Sequence, residues 1–246
     1  MTASLAAASR RLPRGWAHLA FQFGLWIGFY FAYQAARGLA DDRGGETAAF
    51  ANGEWVIDFQ RRFHSMVELT LQGVVESSGL LIQATSVTYW LSQFAVVGIA
   101  LSWVYFRAHE RFFAFRNTLI AGNLVGLAFY VLVPTAPPRM FPGAGFTDTL
   151  AAHSTVNHSS TFVAFAANPY AAMPSLHALD ALIVSGVMAS IVRARWAKLL
   201  WLAWAPWVWF AVMATGNHFW LDVAVGVLIA AAVAAVVYRP WRPRPE

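Results

Sequence analysis

The sequence predicts an all-α protein: a polytopic bundle of about six transmembrane helices, with one further helix at the outer membrane interface. Of its 246 residues, 59% are hydrophobic and 12% are charged, and the mean hydropathy is +0.51. A soluble domain carries about 25% charged residues. Six apolar stretches have roughly the 20 residues that cross a bilayer. They cover residues 16–36, 81–106, 117–133, 175–192, 199–215 and 219–238.

The first apolar stretch follows Arg10, Arg11 and Arg14, as the apolar region of a signal peptide would. It is longer than the roughly 7–15 residues of such a region, and no good cleavage site follows it, so we interpret it as a membrane span. The predicted organisation is a cytoplasmic segment 1–15, a single membrane domain 16–238 with its catalytic core at about 113–238, and a cytoplasmic tail 239–246.

The basic residues predict the orientation of the bundle. With the N-terminus in the cytoplasm, twelve of the 17 lysines and arginines face inward, as the positive-inside rule requires. The net charge of +5 is then explained by anionic lipid headgroups and needs no nucleic acid. Arginine exceeds lysine and alanine is abundant, which is typical of a bacterial chain, so we expect a bacterial plasma membrane. With no cysteine, disulfides, thiolate metal sites and a cysteine nucleophile are excluded.

Two long connections, residues 37–79 and 134–173, fall on the outer side in this topology. In the first, Trp55, Phe59, Phe63 and Met66 recur at helical spacing, which predicts an amphipathic interfacial helix over about 50–70. Such a helix is either a surface cover or a lateral gate or platform for a lipid.

The second outer connection begins with Pro134, Pro137 and Pro138, which stiffen the backbone in front of Arg139. A guanidinium held on a rigid arm suits a phosphate, because its planar fork engages two oxygens at once. Taken alone, an arginine here is an ordinary headgroup anchor.

Residues Pro174, Ser175, Leu176 and His177 begin the fourth apolar stretch. Proline at the first helical position leaves the N–H groups of that turn facing outer water, where they attract anions. Ser175 adds a hydroxyl donor. A lone histidine at this depth is usually an interfacial anchor, but His177 coincides with an anion-binding helix start.

His218 and Asp222 are four residues apart and share one face of the last helix. The Asp222 carboxylate can accept a hydrogen bond from one imidazole nitrogen and leave the other as a nucleophile. Asp180 is the other acid of the last three spans, and it either pairs with His177 or faces a neighbouring helix. The topology brings Arg139, His177, His218 and Asp222 to one outer face, which predicts a site.

The order of Arg139, Pro-Ser-x-His and His-x-x-x-Asp resembles the type 2 phosphatidic acid phosphatase superfamily, over roughly residues 113–238. Residues 134–139 and 173–177 are similar to its branch of inositol phosphorylceramide synthases. The resemblance implies a six-helix membrane bundle with a metal-independent site and no cofactor. It implies His218 as the nucleophile that forms a phosphohistidine, Asp222 as its orienting carboxylate and His177 as the general acid. Arg139 and Ser175 would bind phosphate.

The chain departs from the family pattern at several positions. Leu132 stands in place of a lysine, Met140 in place of a proline and Leu176 in place of a glycine, while Ala211 and Val212 replace a Ser-Arg pair. Charge compensation is therefore left to Arg139 and the helix start, with Asn217, Asn168 and Tyr170 as further candidate phosphate ligands.

These features predict a lipid phosphatase or phosphotransferase on the extracytoplasmic face, with a lipid phosphate as substrate and water or an alcohol such as inositol as acceptor. Two alternatives remain. A catalytically degenerate lipid-binding protein explains the missing cations, and a bis-histidine haem electron-transfer protein uses both histidines but leaves Arg139 and Ser175 unexplained.

Overall fold

All six apolar stretches are helical in the structure, a computed structural model that describes residues 12–41, 45–153 and 169–239. The helices are α1 Gly15–Asp41, α2 Gly45–Arg62, α3 Val67–Glu76, α4 Gly79–Arg107, α5 His109–Leu132, α6 Thr149–His153, α7 Leu176–Ile191, α8 Arg195–Ala214 and α9 Trp220–Val237. A π-helical turn, Ser92–Val96, interrupts α4. The described residues contain no β-strand, only an isolated bridge between Thr135 and Ala171. The predicted all-α class is confirmed.

Length and composition allow four of the described helices to cross a membrane. These are α4, α5, α8 and α9, whereas α7 is apolar but has only 16 residues. Helix α1 is 27 residues long and does not belong to these four. The chain is thus an integral membrane protein, and the count of six spans stays a prediction.

The single interfacial helix predicted over about 50–70 is wrong, because two helices occupy this region. Helix α2 ends at Arg62, and His64 has a φ of 49°. The Ser65 N–H donates to the Gln60 carbonyl at 2.9 Å, which closes the turn before α3 begins. The turn directs Glu68 inward: its side chain is fully buried, although the sequence pattern places it on the polar face.

Helix α7 packs against α5, α8 and α9. Glycines allow two of these close approaches, as small residues do between membrane helices. A Cβ at Gly122 of α5 would lie 3.0 Å from Leu179, and one at Gly226 of α9 would collide with the Ser175 carbonyl oxygen. The apolar core of α4, α5 and α7 lies below, with Val104, Phe115 and Leu179 fully buried.

Four helix ends meet at one end of the bundle: the C-termini of α5 and α8 and the N-termini of α7 and α9. The Tyr130 hydroxyl of α5 donates to the Pro174 carbonyl at 3.0 Å, and the Ser175 N–H donates to the Asp222 carbonyl at 3.0 Å. Helix α2 covers this end, where the Ala136 N–H donates to the Ala49 carbonyl at 2.9 Å. The convergence expected from the topology therefore exists.

Candidate active site

His218 lies in the tight turn between α8 and α9. The turn passes through Gly216, whose φ is +70°, and a Cβ there would lie 2.8 Å from the Thr147 carbonyl oxygen. Glycine is therefore required by both conformation and space. The N–H groups of Asn217 and His218 both donate to the Val212 carbonyl at 3.1 Å. These bonds hold His218, 4% exposed, at the start of α9.

The ring of His218 has a defined tautomer. Its Nδ1 lies 2.8 Å from the Ala172 carbonyl oxygen, an atom that only accepts hydrogen bonds, so Nδ1 carries the proton. Burial lowers the pKa of His218 to about 3, and the nearby Arg139 charge also lowers it, although the bond to Ala172 acts in the opposite direction. At neutral pH the imidazole is uncharged, and Nε2 holds an unshared electron pair. That is the form a nucleophile needs.

The predicted hydrogen bond between His218 and Asp222 is not formed. The Asp222 Oδ2 atom lies 3.7 Å from Nδ1, beyond hydrogen-bond distance, and accepts instead from the Phe219 N–H at 2.7 Å. Asp222 is the third residue of α9, where a carboxylate caps the free N–H groups of the first turn. Its other oxygen, Oδ1, is buried without a hydrogen bond to any described residue. Ala172 thus takes the predicted place of Asp222 as the partner of Nδ1.

His177 lies on the first turn of α7, opposite His218. The centroids of the two imidazoles are 5.6 Å apart, with an angle of 59° between the rings. The other neighbour of His177 is Tyr89 of α4, stacked on it at 4.6 Å and 20°. Both histidines line the same cavity, so a phosphorus atom between them would be within reach of each ring.

Ser175, predicted to bind phosphate through its hydroxyl, lies at the helix start and not on the cavity wall. It is the N-cap of α7, and its Oγ accepts from the Ala178 N–H at 3.2 Å. Pro174 therefore precedes the cap and is not the first helical residue. Ser175 is fully buried and is not one of the residues that line the cavity.

Arg139 lies in a short 3₁₀ turn, Pro138–Met140, although the three prolines before it predict a rigid arm without helix. Its N–H donates to the Gly216 carbonyl at 2.8 Å, and its Nη1 donates to Asn217 Oδ1 at 2.7 Å. Its Nε is 3.7 Å from Asp148 Oδ2. Burial lowers the pKa of Arg139, but a guanidinium remains charged in proteins. Arg139 lines the cavity beside Asn217, so its guanidinium can reach a ligand there.

Of the further candidate phosphate ligands, Asn217 contacts Arg139, whereas the Tyr170 side chain does not reach the cavity. Asn217 Nδ2 donates to Thr215 Oγ1 at 2.8 Å, so this amide aims its oxygen at Arg139. The Tyr170 carbonyl accepts from the Thr135 N–H at 2.8 Å, while the Tyr170 ring contacts Phe50 at 6.3 Å and does not line the cavity. Asn168 lies outside the described residues.

Sequence reasoning missed Glu68, a structural support for the site. Its Oε1 accepts from the Gln60 side chain at 2.8 Å and from the Trp220 N–H at 2.5 Å. Burial raises the pKa of Glu68, and these hydrogen bonds act against that shift. Glu68 therefore caps the helix that begins beside His218. An acid on an apparently polar helix face gives no sequence signal for this role.

The site opens into a cavity of about 1110 Å³ between α1, α4, α5 and α7. One end holds Arg139, Asn217, His177 and His218, and the other reaches Gln22 and Tyr105. Most of the wall is apolar and aromatic, and the volume exceeds the roughly 300–1,000 Å³ of ordinary small-molecule sites. The shape fits a lipid whose polar group lies between the histidines. No group of three or more His, Asp or Glu side chains arranged to hold a metal occurs in the described part of the chain.

Comparison with known proteins gave a family match and one similar protein. The model of the PAP2 superfamily matches residues 54–236. The phosphoinositol dihydroceramide synthase of Bacteroides thetaiotaomicron is 27% identical over 191 residues, which cover 67% of this chain and 62% of that protein. The chain thus spans less than two thirds of that relative's length. No solved structure matched.

Proposed function

Because the chain belongs to the PAP2 superfamily, we propose that it transfers the phosphoryl group of a lipid phosphate ester through a phosphohistidine on His218. The observation that carries this proposal is the hydrogen bond from His218 Nδ1 to the Ala172 carbonyl, because it leaves Nε2 unprotonated beside His177 and Arg139. The similar protein is named as a synthase of a phosphoinositol dihydroceramide, which supports transfer to a lipid as the reaction class.

The first step cleaves the lipid ester. The Nε2 electron pair of His218 attacks phosphorus, and the bond from phosphorus to the leaving oxygen breaks. His177, which takes up a proton from water when the phosphate anion binds beside it, gives that proton to the leaving oxygen. The Arg139 guanidinium, oriented by the bond from Nη1 to Asn217, binds a phosphate oxygen as negative charge develops. The alcohol leaves, and a phosphohistidine and a neutral His177 remain.

The second step reverses these roles. His177 takes the proton of an incoming hydroxyl, the hydroxyl oxygen attacks phosphorus, and the bond from phosphorus to Nε2 breaks with its electron pair returning to His218. If the hydroxyl belongs to water the protein is a phosphatase, and if it belongs to an alcohol the protein is a phosphotransferase. No metal ion takes part in either step.

The charge of the site favours transfer from phosphodiesters. Arg139 is the single cation among the described residues that line the cavity. The two positions where the family resemblance implies further cations hold Leu132, which is 76% exposed on the bundle surface, and Val212, which is fully buried. A phosphodiester carries one negative charge and a phosphomonoester carries up to two, and uncompensated charge near lipid is costly.

We therefore expect faster turnover of lipid phosphodiesters than of phosphomonoesters, and transfer to added inositol or glycerol in competition with hydrolysis. The measurement is incubation of purified protein with phosphatidylinositol, phosphatidylglycerol and phosphatidic acid, with free phosphate and new lipid esters both quantified. If phosphatidic acid is hydrolysed at least as fast and no alcohol adduct forms at high acceptor concentration, the protein is a lipid phosphatase and the charge argument is wrong.

We also propose that the site opens on the extracytoplasmic face, since this places most basic residues inside. The cysteine-free chain gives a clean test with two partly exposed alanines, Ala144 on the site end and Ala197 on the other end. In intact cells, a cysteine at Ala144 should react with a membrane-impermeant maleimide, and one at Ala197 should react only after lysis. The opposite labelling pattern would place the site in the cytoplasm.

A further inference from the structure

Asp148, which the proposed chemistry does not use, lies beside the cation of the site. Its Oδ2 atom is 3.7 Å from Arg139 Nε, and the side chains of Asp148 and Arg139 are 28% and 9% exposed. Arg139 lines the cavity, whereas Asp148 is not one of the described residues that do so. A bound phosphate would therefore contact the guanidinium and would experience the carboxylate only through its charge.

The carboxylate of Asp148 is held by the helix that follows it. Asp148 directly precedes α6, and its Oδ1 accepts from the Ala151 N–H at 2.9 Å. A carboxylate in this position caps the free N–H groups of the first helical turn. The cap holds one carboxylate oxygen and leaves the other, Oδ2, on the side of Arg139.

The two sequence neighbours of Asp148 are held by Gln72 of α3, which is 3% exposed. Gln72 Oε1 accepts from the Thr147 N–H at 3.2 Å, and Nε2 donates to the Thr147 carbonyl at 2.7 Å and to Thr149 Oγ1 at 3.0 Å. Both amide hydrogens and the amide oxygen are thus used on the residues that flank Asp148. The Thr147 carbonyl oxygen is also the atom that excludes a side chain at Gly216. Asp148 is therefore fixed against the turn that carries His218.

The pairing of Asp148 with Arg139 changes the charge of the site more than the stability of the fold, because a partly exposed ion pair stabilises a protein little. One carboxylate and one guanidinium together are close to neutral. The guanidinium can still donate hydrogen bonds to a phosphate oxygen, which suits the single charge of a phosphodiester. The second charge of a phosphomonoester meets no further arginine or lysine among the described residues of the cavity wall and is repelled by the carboxylate.

We infer that Asp148 is a specificity-determining residue that acts through Arg139: by offsetting the charge of the guanidinium, it excludes doubly charged phosphomonoesters and reserves the site for singly charged phosphodiesters. The inference rests on the proposed transfer reaction and names the residue that selects the charge of its substrate. Without this carboxylate, the same site should accept phosphomonoesters.

The test compares two lipids that differ by one methyl group and one charge, phosphatidic acid and phosphatidylmethanol with the same acyl chains. Both are presented in micelles of a neutral detergent, in a buffer alkaline enough for phosphatidic acid to carry two negative charges. Cleavage releases the same diacylglycerol from each, so the two values of kcat/KM can be compared directly. The protonation of His177 is common to both reactions and cancels in their ratio. We expect wild-type protein to prefer phosphatidylmethanol.

The variants Asp148→Asn and Asp148→Ser remove the charge and keep a side chain that can cap α6. In both, the ratio of kcat/KM for phosphatidylmethanol to that for phosphatidic acid should fall about tenfold, because one elementary charge several ångströms away near a protein surface has at least this effect. The fall should come from faster turnover of phosphatidic acid. Asp148→Glu keeps the charge and should keep the wild-type ratio. Asp58→Asn is the matched control, since it removes the carboxylate of an exposed ion pair on α2.

The outcomes separate this inference from the function on which it rests. Equal losses with both lipids in Asp148→Asn and Asp148→Ser would mean that Asp148 only places Arg139, and would overturn the inference. An unchanged ratio in these two variants, or the same fall in Asp148→Glu, would overturn it as well, and wild-type turnover of phosphatidylmethanol would leave the transfer reaction intact. If wild-type protein releases neither diacylglycerol from these lipids nor 4-nitrophenol from bis(4-nitrophenyl) phosphate, the proposed function itself is wrong.

Discussion

His218→Ala protein is expected to have no turnover above the assay background with any lipid phosphate ester. The imidazole supplies the atom that bonds to phosphorus, so its removal deletes the covalent intermediate rather than weakening one interaction. Loss of charge is not the reason, because burial lowers the pKa of His218 to about 3 and the ring is neutral at working pH. The measurement is product formation by wild type and variant at equal protein amounts, together with retention of label from a ³²P-phosphate donor on the quenched protein.

The wild-type label should be acid-labile and stable in alkali, as a phosphorus–nitrogen bond is, and absent from His218→Ala. His64→Asn is the matched control, since His64 is exposed on the turn between α2 and α3 and asparagine tolerates its positive φ. This control should label and turn over as wild type does. Full activity in His218→Ala, or strict dependence of wild-type activity on a divalent metal that a chelator removes, would contradict the phosphohistidine mechanism.

The sequence was sufficient to predict the helices and their convergence. Long apolar stretches and the distribution of arginines predict helices and direction, and these two facts bring Arg139, His177 and His218 to one end. Periodicity was less informative for the covering segment. Trp55, Phe59 and Phe63 continue a helical pattern through the point where His64 turns the chain, because an aromatic surface at the membrane is compatible with one helix or two.

The hydrogen-bond partner of the His218 ring could not be predicted from the sequence, for a different reason. A spacing of four residues makes Asp222 the obvious choice, but the carboxylate has a competing donor only three residues away, the Phe219 N–H at the open end of the helix. A backbone carbonyl 46 residues earlier, that of Ala172, then satisfies the imidazole. Every residue has such a carbonyl, so no side-chain pattern identifies it. Stacking of Tyr89 on His177 likewise depends on how α4 packs against α7.

Because Asp222 lies at the start of α9, it supports the site without a direct bond to the His218 imidazole. Its carboxylate fixes the Phe219 N–H, and its carbonyl accepts from the Ser175 N–H, so it joins the first turn of α9 to the start of α7. Glu68 of α3 stabilises the same turn, because its carboxylate accepts a hydrogen bond from the Trp220 N–H. The geometry between the two histidines therefore depends on a network of helix caps that connects three parts of the chain, the starts of α7 and α9 and the Glu68 side chain of α3.

His177→Ala is expected to retain a measurable activity, in contrast to His218→Ala. General acid–base catalysis contributes typically about 10²–10⁴-fold, and we expect a loss in kcat of that size with phosphatidylinositol. The centroids of the two imidazoles are 5.6 Å apart, so the ring of His177 is close enough to protonate an oxygen that leaves a phosphorus atom on His218. The defect should depend on the leaving group. The 4-nitrophenolate anion departs readily without a proton. In His177→Ala, the rate of phosphohistidine formation from bis(4-nitrophenyl) phosphate should therefore fall much less than the rate from the lipid ester.

The dependence on the leaving group separates proton donation from packing. Tyr89 stacks on His177 at 4.6 Å, so removal of the ring also opens a space in the cavity wall. Tyr89→Leu is the companion variant, because it disturbs the same stack and leaves the His177 imidazole in place. If His177 had a purely structural role, His177→Ala would lower the rates with both substrates by the same factor. We expect such equal losses for Tyr89→Leu. Equal losses for the lipid ester and the nitrophenyl ester in His177→Ala would therefore exclude His177 as the general acid and leave it as a wall of the cavity.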